Sequence, residues 1–384
     1  MNITKRVAVI KSEHSPFGGA EIMTQNFVHL LLNAGCEVTL LTSYNQEWPF
    51  KHNHLTIIEL TKAGGNRFWQ VWRFNRAVSS YLNKSRRLFD IVLSLDRVEK
   101  YTHYHAGGFC QKTSINLRSK ESSKIRCMFR RISSFHNLVI KIEKNGFRQE
   151  PPPYIHCCSE LIRKDIVSHY PKTANRTYII PNWIDWEGIG DTYRHKNQTA
   201  QTLLSNASLP NKRFLLFIGG GFNSKGLDIA IKNLPRTHNL IVIGKGNPFQ
   251  FKRIARKQGV YDRIHFLGPV ASAWKFAAIS EALLLPARYE PFGIVAAEAN
   301  AMGIPVLVSN RTGYSDYIVR GKNGIVISDI DNYESIYKSF EQLTDKLNNR
   351  KNSFCNSDKI REQAKLLSFP LIAPKILRDF LGII

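Results

Sequence analysis

The sequence predicts an α/β protein of two domains, each built on a parallel sheet, and three observations carry that expectation. A short apolar run, a glycine turn and a stretch of helical spacing follow one another twice, at Val7-Ala8-Val9-Ile10 with Gly18-Gly19 and at Phe214-Leu215-Leu216-Phe217-Ile218 with Gly219-Gly220-Gly221. The segment Glu290-Pro291-Phe292-Gly293-Ile294-Val295-Ala296-Ala297-Glu298-Ala299 lies between the apolar runs Ala282-Leu283-Leu284-Leu285 and Pro305-Val306-Leu307-Val308, which reads as strand, loop, helix, strand. With 384 residues, 43% of them hydrophobic, the chain can bury a large core, and its length favours two domains over one.

The chemistry concentrates in the segment from Glu290 to Glu298. Phe292, Gly293 and Ile294 open its helix, where free backbone N–H groups and the positive end of the dipole suit a phosphate, and Gly293 lets a ligand approach the backbone closely. Glu290 and Glu298 flank that anion site. Two carboxylates beside a diphosphate repel it unless they point at hydroxyls, so both are assigned to sugar rings as acceptors for ribose or hexose OH groups. The plain alternative is a helix with an acidic N-terminus and a solvated Glu; the Pro-Phe-Gly insert and the Gly-x-Pro-Val that follows speak against it.

The run from Leu284 to Val308 resembles the signature of the retaining glycosyltransferases of family 4. The resemblance implies the GT-B fold: α/β, two facing Rossmann-like domains with a cleft between them and a C-terminal helix crossing back. It also implies that the first Glu lies near the donor hexose, that the second binds the nucleotide ribose, and that the Gly-Ile-Val backbone holds the diphosphate.

In chain order, the strand at residues 7–10 leads into Ser15-Pro16-Phe17-Gly18-Gly19-Ala20-Glu21 and a helical pattern through Ile22, Phe27, Leu30 and Leu31, ended by Gly35 before the strand at 38–41. A Gly-Gly turn at the C-terminal edge of a first strand serves either tight packing or ligand approach. Its likeness to the Gly-Gly loop of family 4 implies the second, with Gly18 and Gly19 at the donor diphosphate and acceptor. Residues 67–88 carry Phe68, Trp69, Trp72, Phe74, Val78 and Leu82 among basic residues; such interleaving can bind nucleic acid, but helical spacing ahead of the strand at 90–94 more often means a core helix with a solvated basic face. In Tyr101-Thr102-His103-Tyr104-His105-Ala106-Gly107-Gly108 the two His share one face of an extended segment, but with no third ligand nearby they make a poor metal site. A structural or hydrogen-bonding role is the default for each; the family resemblance implies that one of them, here His105, reaches the reaction centre.

From 111 to 148 the chain becomes basic and amphipathic, with Lys120, Lys124, Arg126, Arg130 and Arg131 among apolar residues. Two readings stand: a surface that meets an anionic membrane, or an ordinary amphipathic helix packed on its own domain. The charge of the whole chain favours the first, since 54 Lys and Arg against 30 Asp and Glu leave a formal +24. Such an excess implies an acidic partner, and no nucleic-acid-binding motif is present. No stretch approaches about 18 apolar residues, and no signal-like segment precedes the strand at 7–10, so a cytoplasmic protein, peripheral on the inner membrane, is expected. The six Cys show no zinc spacing and no plausible disulfide pair.

Pro151-Pro152-Pro153 punctuates the chain; Tyr154-Ile155-His156-Cys157-Cys158 reads as the last strand of the first domain, and Ser159 as a helix cap. Tyr178-Ile179-Ile180-Pro181-Asn182-Trp183-Ile184-Asp185 resembles the family turn entering the interdomain linker, with Trp183 in place of Gly. In the second domain Gly219-Gly220-Gly221 and Lys225-Gly226 form a phosphate cradle in outline, Gly221 among its glycines. By the resemblance Lys225 neutralises the β-phosphate of the leaving nucleotide, while Ser224 stands where the family often has Arg. Asp329-Ile330-Asp331 superficially resembles a metal pair, but Asp331 with Glu334 reads as a capping box, so no metal is expected.

The expected organisation is residues 1–180 as an acceptor-binding domain carrying the insert 111–148, residues 181–365 as the nucleotide-sugar domain, and 366–384 as a helix returning to the first. Lys225, Glu290 and His105 are the candidate catalytic residues; Gly18, Gly19, Gly221, Phe292, Gly293, Ile294 and Glu298 are the candidate donor contacts. The expected activity is transfer of a hexose from a nucleotide sugar, a UDP-sugar such as UDP-glucose by the resemblance, to an anionic glycolipid. The Ser-Pro-Phe-Gly-Gly opening and the basic insert resemble lipopolysaccharide core glucosyltransferases. A capsule, exopolysaccharide or other glycolipid acceptor is the near alternative. From another class stand a nucleotide-sugar epimerase, which lacks a need for a lipid-facing insert, and a binding protein, which needs neither both Glu residues nor Lys225.

Overall fold

The computed structural model describes residues 4–13, 19–44, 48–49, 51–62, 65–120, 133–349, 354 and 356–383. It forms two compact units, one made of residues up to Ile180 together with those from Ala373 onward, the other of Pro181–Ile372.

The first unit holds a seven-stranded parallel sheet of β1 (Arg6–Ile10), β2 (Glu37–Ser43), β3 (Leu55–Thr61), β4 (Ile91–Ser94), β5 (His103–Ala106), β6 (Tyr154–Cys157) and β7 (Thr177–Ile179), in the order β3-β2-β1-β4-β5-β6-β7. Val7, Ala8, Val9 and Ile10 have no exposed surface, which is why β1 is a continuous apolar run: helices cover both faces of a parallel sheet. The helix Gly19–Asn33 returns the chain to β2, and Phe27, Val28 and Leu31 fix it to the sheet. The helix Arg67–Ser85 is capped by Asn66 and buries Phe74, Val78 and Leu82 while Trp69 stays exposed, so its aromatic and basic residues divide between core and solvent.

Two edge strands lie outside the sequence expectations. β3 has no fully buried position, so it lacks the apolar run that marks the central strands. β7 follows β6, so Tyr154–Cys157 is not the last strand of this unit; the segment read as a linker turn begins with two residues, Tyr178 and Ile179, that pair along β6. Ser159 caps the following helix, its side chain accepting from the Ile162 N–H. From the far end of the chain Phe380 comes to lie against His103, His156 and Tyr178, at ring separations of 5.2, 5.5 and 6.4 Å.

The second unit holds a six-stranded parallel sheet of β8 (Phe214–Ile218), β9 (Asn239–Ile243), β10 (Ile264–Gly268), β11 (Ala282–Leu285), β12 (Val306–Ser309) and β13 (Gly324–Ile327), in the order β10-β9-β8-β11-β12-β13. β8, β9, β11 and β12 are buried at every position. Trp183 takes its place without a left-handed backbone: its ring is buried against Phe369, and the next N–H, of Ile184, donates to the Leu367 carbonyl. The expected capping box at Asp331 and Glu334 does not form. Asn332 caps the helix Tyr333–Asn348 by accepting from the Ser335 N–H, and Asp331 pairs with Arg311 instead. One residue's shift in the start of the helix moves Asp331 out of capping reach. The C-terminal segment is broken rather than one helix: Ser357–Ala364, then Phe369–Lys375 with Pro374 inside it, then a π turn at Ile376–Phe380.

Candidate active site

In the second unit the strand order reverses between β8 and β11, and ligands of open parallel sheets bind at the carboxyl ends of the strands at such a point. Two loops leave the sheet there. The one after β8 runs through Gly219, Gly221, Lys225 and Gly226; the one after β11 runs through Arg288, Glu290 and Gly293.

The first loop is closed on itself and then tied to the second. Ser224 Oγ donates to the Gly221 carbonyl at 2.8 Å, and Gly226 sits at φ +76° where a β-carbon would come within 2.0 Å of the Pro286 carbonyl oxygen. Only glycine lets the two loops approach so closely. The Arg288 N–H donates to the Ser224 carbonyl at 2.9 Å, and its guanidinium donates to the Asn223 carbonyl and, through both terminal nitrogens, to the Asp228 carboxylate at 2.8 Å. Lys225 Nζ and the Glu290 carboxylate are in direct contact. Burial draws the Lys225 ammonium down to about 8, and the contacting Glu290 works against that loss of charge.

The second loop is held like an extra strand. Glu290 donates from its N–H to the Arg311 carbonyl and accepts at its own carbonyl from Gly313, while the Phe292 carbonyl accepts from Tyr314 at 2.6 Å. Phe292 is a buried anchor packed on Tyr314 and Tyr317 and lies just ahead of the helix, which starts at Ile294 with Gly293 as its cap. No side chain caps that end, and no acidic residue lies in its first turn. Gly293 stands at φ +91°, where a β-carbon would press on Thr312 Cγ2 at 2.9 Å, so the bend into the helix depends on glycine.

The helix Ile294–Ala301 is then braced from behind. Asn300, fully buried, donates to the carbonyls of Ile304 and Asn323 and accepts from Tyr314 OH at 2.8 Å and from the Asn323 side chain at 3.1 Å. At its C-terminal end the Arg361 guanidinium donates to the Ala301 carbonyl and stacks over Trp186 at 4.0 Å and Tyr193 at 4.9 Å. The half-buried Glu298 lies on the same helix; burial, with a smaller contribution from Asp185, pushes its carboxyl up to about 8.

The family model described as Glycosyl transferases group 1 matches residues 203–357, the stretch that carries all of these groups except those at the unit's two ends. Over that stretch the chain is similar to the group 1 glycosyl transferases. The lipopolysaccharide glucosyltransferase WaaG of Escherichia coli K12 is 24% identical to this chain over 340 residues, 84% of this chain and 85% of that one. Among solved structures, WaaG superposes with a TM-score of 0.77 at 22% identity, covering 98% of this chain and 100% of the other. Anabaena HepE in complex with UDP-glucose superposes with a TM-score of 0.71 at 14% identity, with coverage of 98% and 100%.

Lys225, Glu290, Gly221, Phe292, Gly293, Ile294 and Glu298 all belong to the switch point of the second unit. His105 belongs to the first. There it is buried, its Nδ1 2.9 Å from His156 Nδ1 and its ring against Phe27, while His156 Nε2 lies 2.6 Å from the Ile180 carbonyl. Burial and the neighbouring His156 hold His105 well below the usual imidazole range, so it is neutral at pH 7. Gly19 is the first residue of its helix rather than part of a turn, and Gly18 lies outside the described residues. Lys124, Arg126, Arg130 and Arg131 also lie outside them, and Lys120 ends the helix Gln111–Lys120. The other described part of the insert, the helix Ser134–Phe147, buries Val139, Ile142 and Phe147 in its own unit and exposes Lys141 and Lys144.

Sequence reasoning missed Arg288, Asp228 and the Asn300–Tyr314–Asn323 network. The signal for the first pair was available, since both residues lie within three positions of assigned ones, but their pairing spans 60 residues. The third group carries no local signal: nothing in a sequence marks an Asn as buried.

Glu298 gives a pH test. A carboxyl raised from its ordinary range to about 8 in the folded chain favours the protonated form, so its contribution to stability is complete below about pH 4.5 and is lost as pH rises through about 8. Glu298→Gln, which keeps the shape and removes the charge, is expected to melt close to the parent at pH 5 and above it at pH 9. The margin is on the order of a few kcal/mol, read by thermal denaturation across that range.

Proposed function

We propose that the chain moves a hexose from a nucleotide sugar, UDP-glucose or a close analogue, to the core region of lipopolysaccharide with retention of anomeric configuration. The observation that carries this reading is the contact of Lys225 with Glu290 at the β8–β11 switch point, beside a helix whose first turn has no side-chain cap.

Both members of that pair are half-buried, so an arriving diphosphate meets a cation already held at the switch point. Lys225 turns toward the β-phosphate, the N-terminal end of the Ile294–Ala301 helix faces the same charge, and Glu290 is released to accept a hydrogen bond from a hexose hydroxyl. Glu298 takes the ribose. An acceptor hydroxyl then attacks the anomeric carbon as the bond to the β-phosphate oxygen breaks. The departing phosphate takes the acceptor's proton, and the nucleoside diphosphate leaves. The dominant protein contribution is electrostatic stabilisation of charge building on that phosphate. No metal is required in this scheme, because Lys225 and the helix dipole supply the positive field.

The activity of WaaG supports a lipopolysaccharide acceptor, and the UDP-glucose held by HepE supports the donor. The excess of basic residues supports an anionic surface as the place of work, with Lys120, Lys124, Arg126, Arg130 and Arg131 as the contacts and the cytoplasmic face of the inner membrane as the location. Among the described residues no helix is long and apolar enough to cross a membrane.

The test is release of UDP from a panel of UDP-sugars, with and without deep-truncated lipopolysaccharide. Acceptor-dependent release with one sugar supports the proposal and names the donor. Release that needs no acceptor, or a product with inverted configuration, overturns it.

A further inference from the structure

A crevice of about 530 Å³ opens on the first unit at the amino ends of β4, β5 and β6, the opposite end of the sheet from the carboxyl ends where ligands of such sheets commonly bind. Val92 lies near the start of β4, Thr102 stands just ahead of β5 and Tyr154 begins β6, while Leu82 and Asn83 bring in the end of the helix Arg67–Ser85. That volume falls within the roughly 300–1,000 Å³ of small-molecule sites. The transfer reaction proposed above does not use it.

The charged groups that line it are Arg86, Lys100, Glu150 and Arg176. The one carboxylate is drawn aside, since Glu150 pairs with Lys172 at 2.9 Å and both side chains are exposed. Three cations remain, and among the described residues none of them has a carboxylate partner. Neutral acceptors hold them in place instead. Arg86 donates to the Phe89 carbonyl, Arg176 to the Pro152 carbonyl at 2.8 Å, and Lys100 to the Asn83 side-chain oxygen. Each arginine uses one N–H in this way, which leaves roughly four of a guanidinium's five donors for a ligand. Arg176 also stacks over the Tyr154 ring at 4.7 Å, which fixes its plane. Burial lowers the nearby His103 imidazole to about 4, and the fields of Arg86 and Arg176 add to that shift, so the two guanidinium groups act on one region.

Charge and geometry choose the ligand. Like charges gathered in a crevice repel one another and focus a positive potential, and an anion relieves both. A carboxylate brings two oxygens and one charge. A phosphate monoester brings three terminal oxygens and close to two charges at neutral pH, which answers three cations reaching in from separate stretches of the chain: Arg86 after the helix Arg67–Ser85, Lys100 ahead of β5 and Arg176 ahead of β7. Leu82, Pro151 and Pro152 add apolar wall for the organic part of the ester.

We propose that this crevice binds a phosphate monoester, with Arg86, Lys100 and Arg176 as its donors. The ester is either a free phosphorylated metabolite or a phosphorylated lipid headgroup, and the site stands independently of the transferase reading.

The experiment is isothermal titration calorimetry on the full chain, with glycerol 3-phosphate as the probe. Lys100→Gln and Arg176→Gln each remove one charge and keep a polar side chain. Lys100 is exposed, so its variant keeps the fold and decides the matter should Arg176→Gln melt early. Lys338→Gln removes a charge from an exposed pair in the second unit, and Lys225→Ala removes the cation of the glycine turn there. The expected result is binding by the parent, at least fivefold weaker in each crevice variant and within twofold of the parent in Lys338→Gln and Lys225→Ala. No heat of binding in the parent, loss of binding in Lys225→Ala, or equal effects of Lys100→Gln and Lys338→Gln overturns the site. Competition then names the source. Phosphatidylcholine vesicles containing phosphatidate displace glycerol 3-phosphate if the ligand is a lipid headgroup and leave it bound if the ligand is a free metabolite; either result supports the site.

Discussion

Alanine at Lys225 lowers kcat/KM by about 10²–10³-fold, the loss that follows removal of one preorganised charge-stabilising donor. The side chain lies between the glycine turn and the second loop, in contact with Glu290, so truncation takes away the cation and leaves Glu290 facing the diphosphate alone. Repulsion then adds to lost attraction. The double variant Lys225→Ala, Glu290→Gln is therefore expected to be less impaired than the two single losses multiplied together, a non-additivity that a double-mutant cycle reads directly. Arginine is a poor rescue, because its planar fork cannot occupy the space of a point-charge ammonium against Gly219, where even a β-carbon would lie 3.2 Å from Lys225 Cγ. The parent's rate is expected to fall as pH rises through about 8, where Lys225 loses its proton, and steady-state kinetics on the purified chain check both the loss and the profile. A Lys225→Ala variant with parental kcat/KM would remove Lys225 from the chemistry.

Leucine at Asn300 destabilises the second unit by about 3–5 kcal/mol, with little change in the first. Asn300 satisfies the Ile304 and Asn323 carbonyls and the Tyr314 hydroxyl in a place with no access to water. Leucine has nearly the same bulk but no polar atoms, so several buried partners lose their bond at about 1–3 kcal/mol each, partly relieved by local shifts. The network joins the helix Ile294–Ala301 to the strand and turn behind it, so catalysis suffers with stability: the helix end at Gly293 loses its fixed position. Urea denaturation followed by probes in each unit separates this outcome from global damage. A single variant is enough to decide, because an unchanged midpoint for the second unit means that the network carries no net energy.

Much of this was legible in the chain. The central strands announced themselves as β1, β4, β8, β11 and β12 because a parallel strand covered on both faces reads as a nearly continuous apolar run. The switch-point glycines were legible for a related reason: Gly226 and Gly293 adopt a backbone that other residues avoid, and they do so beside charged residues that have no packing role. The edge strands β3 and β7 were not, since half-exposed strands carry no continuous apolar run. The cap of the helix Tyr333–Asn348 was misplaced by one residue, because Asp331 and Asn332 are both good caps and only the fold chooses between them.

Local patterns in the chain are enough for the class of architecture, the two points where a parallel sheet meets a glycine turn, and the residue types available for a phosphate and its sugar. These follow from local rules: periodicity, backbone freedom and charge act within a few residues of each other. The tertiary structure alone decided the partnerships. It joined Lys225 to Glu290 and Arg288 to Asp228 across 60 residues or more of chain, turned His105 inward to His156, and gathered Arg86, Lys100 and Arg176 at one crevice. Pairing of this kind depends on strand order, and strand order is set by the packing of the whole sheet.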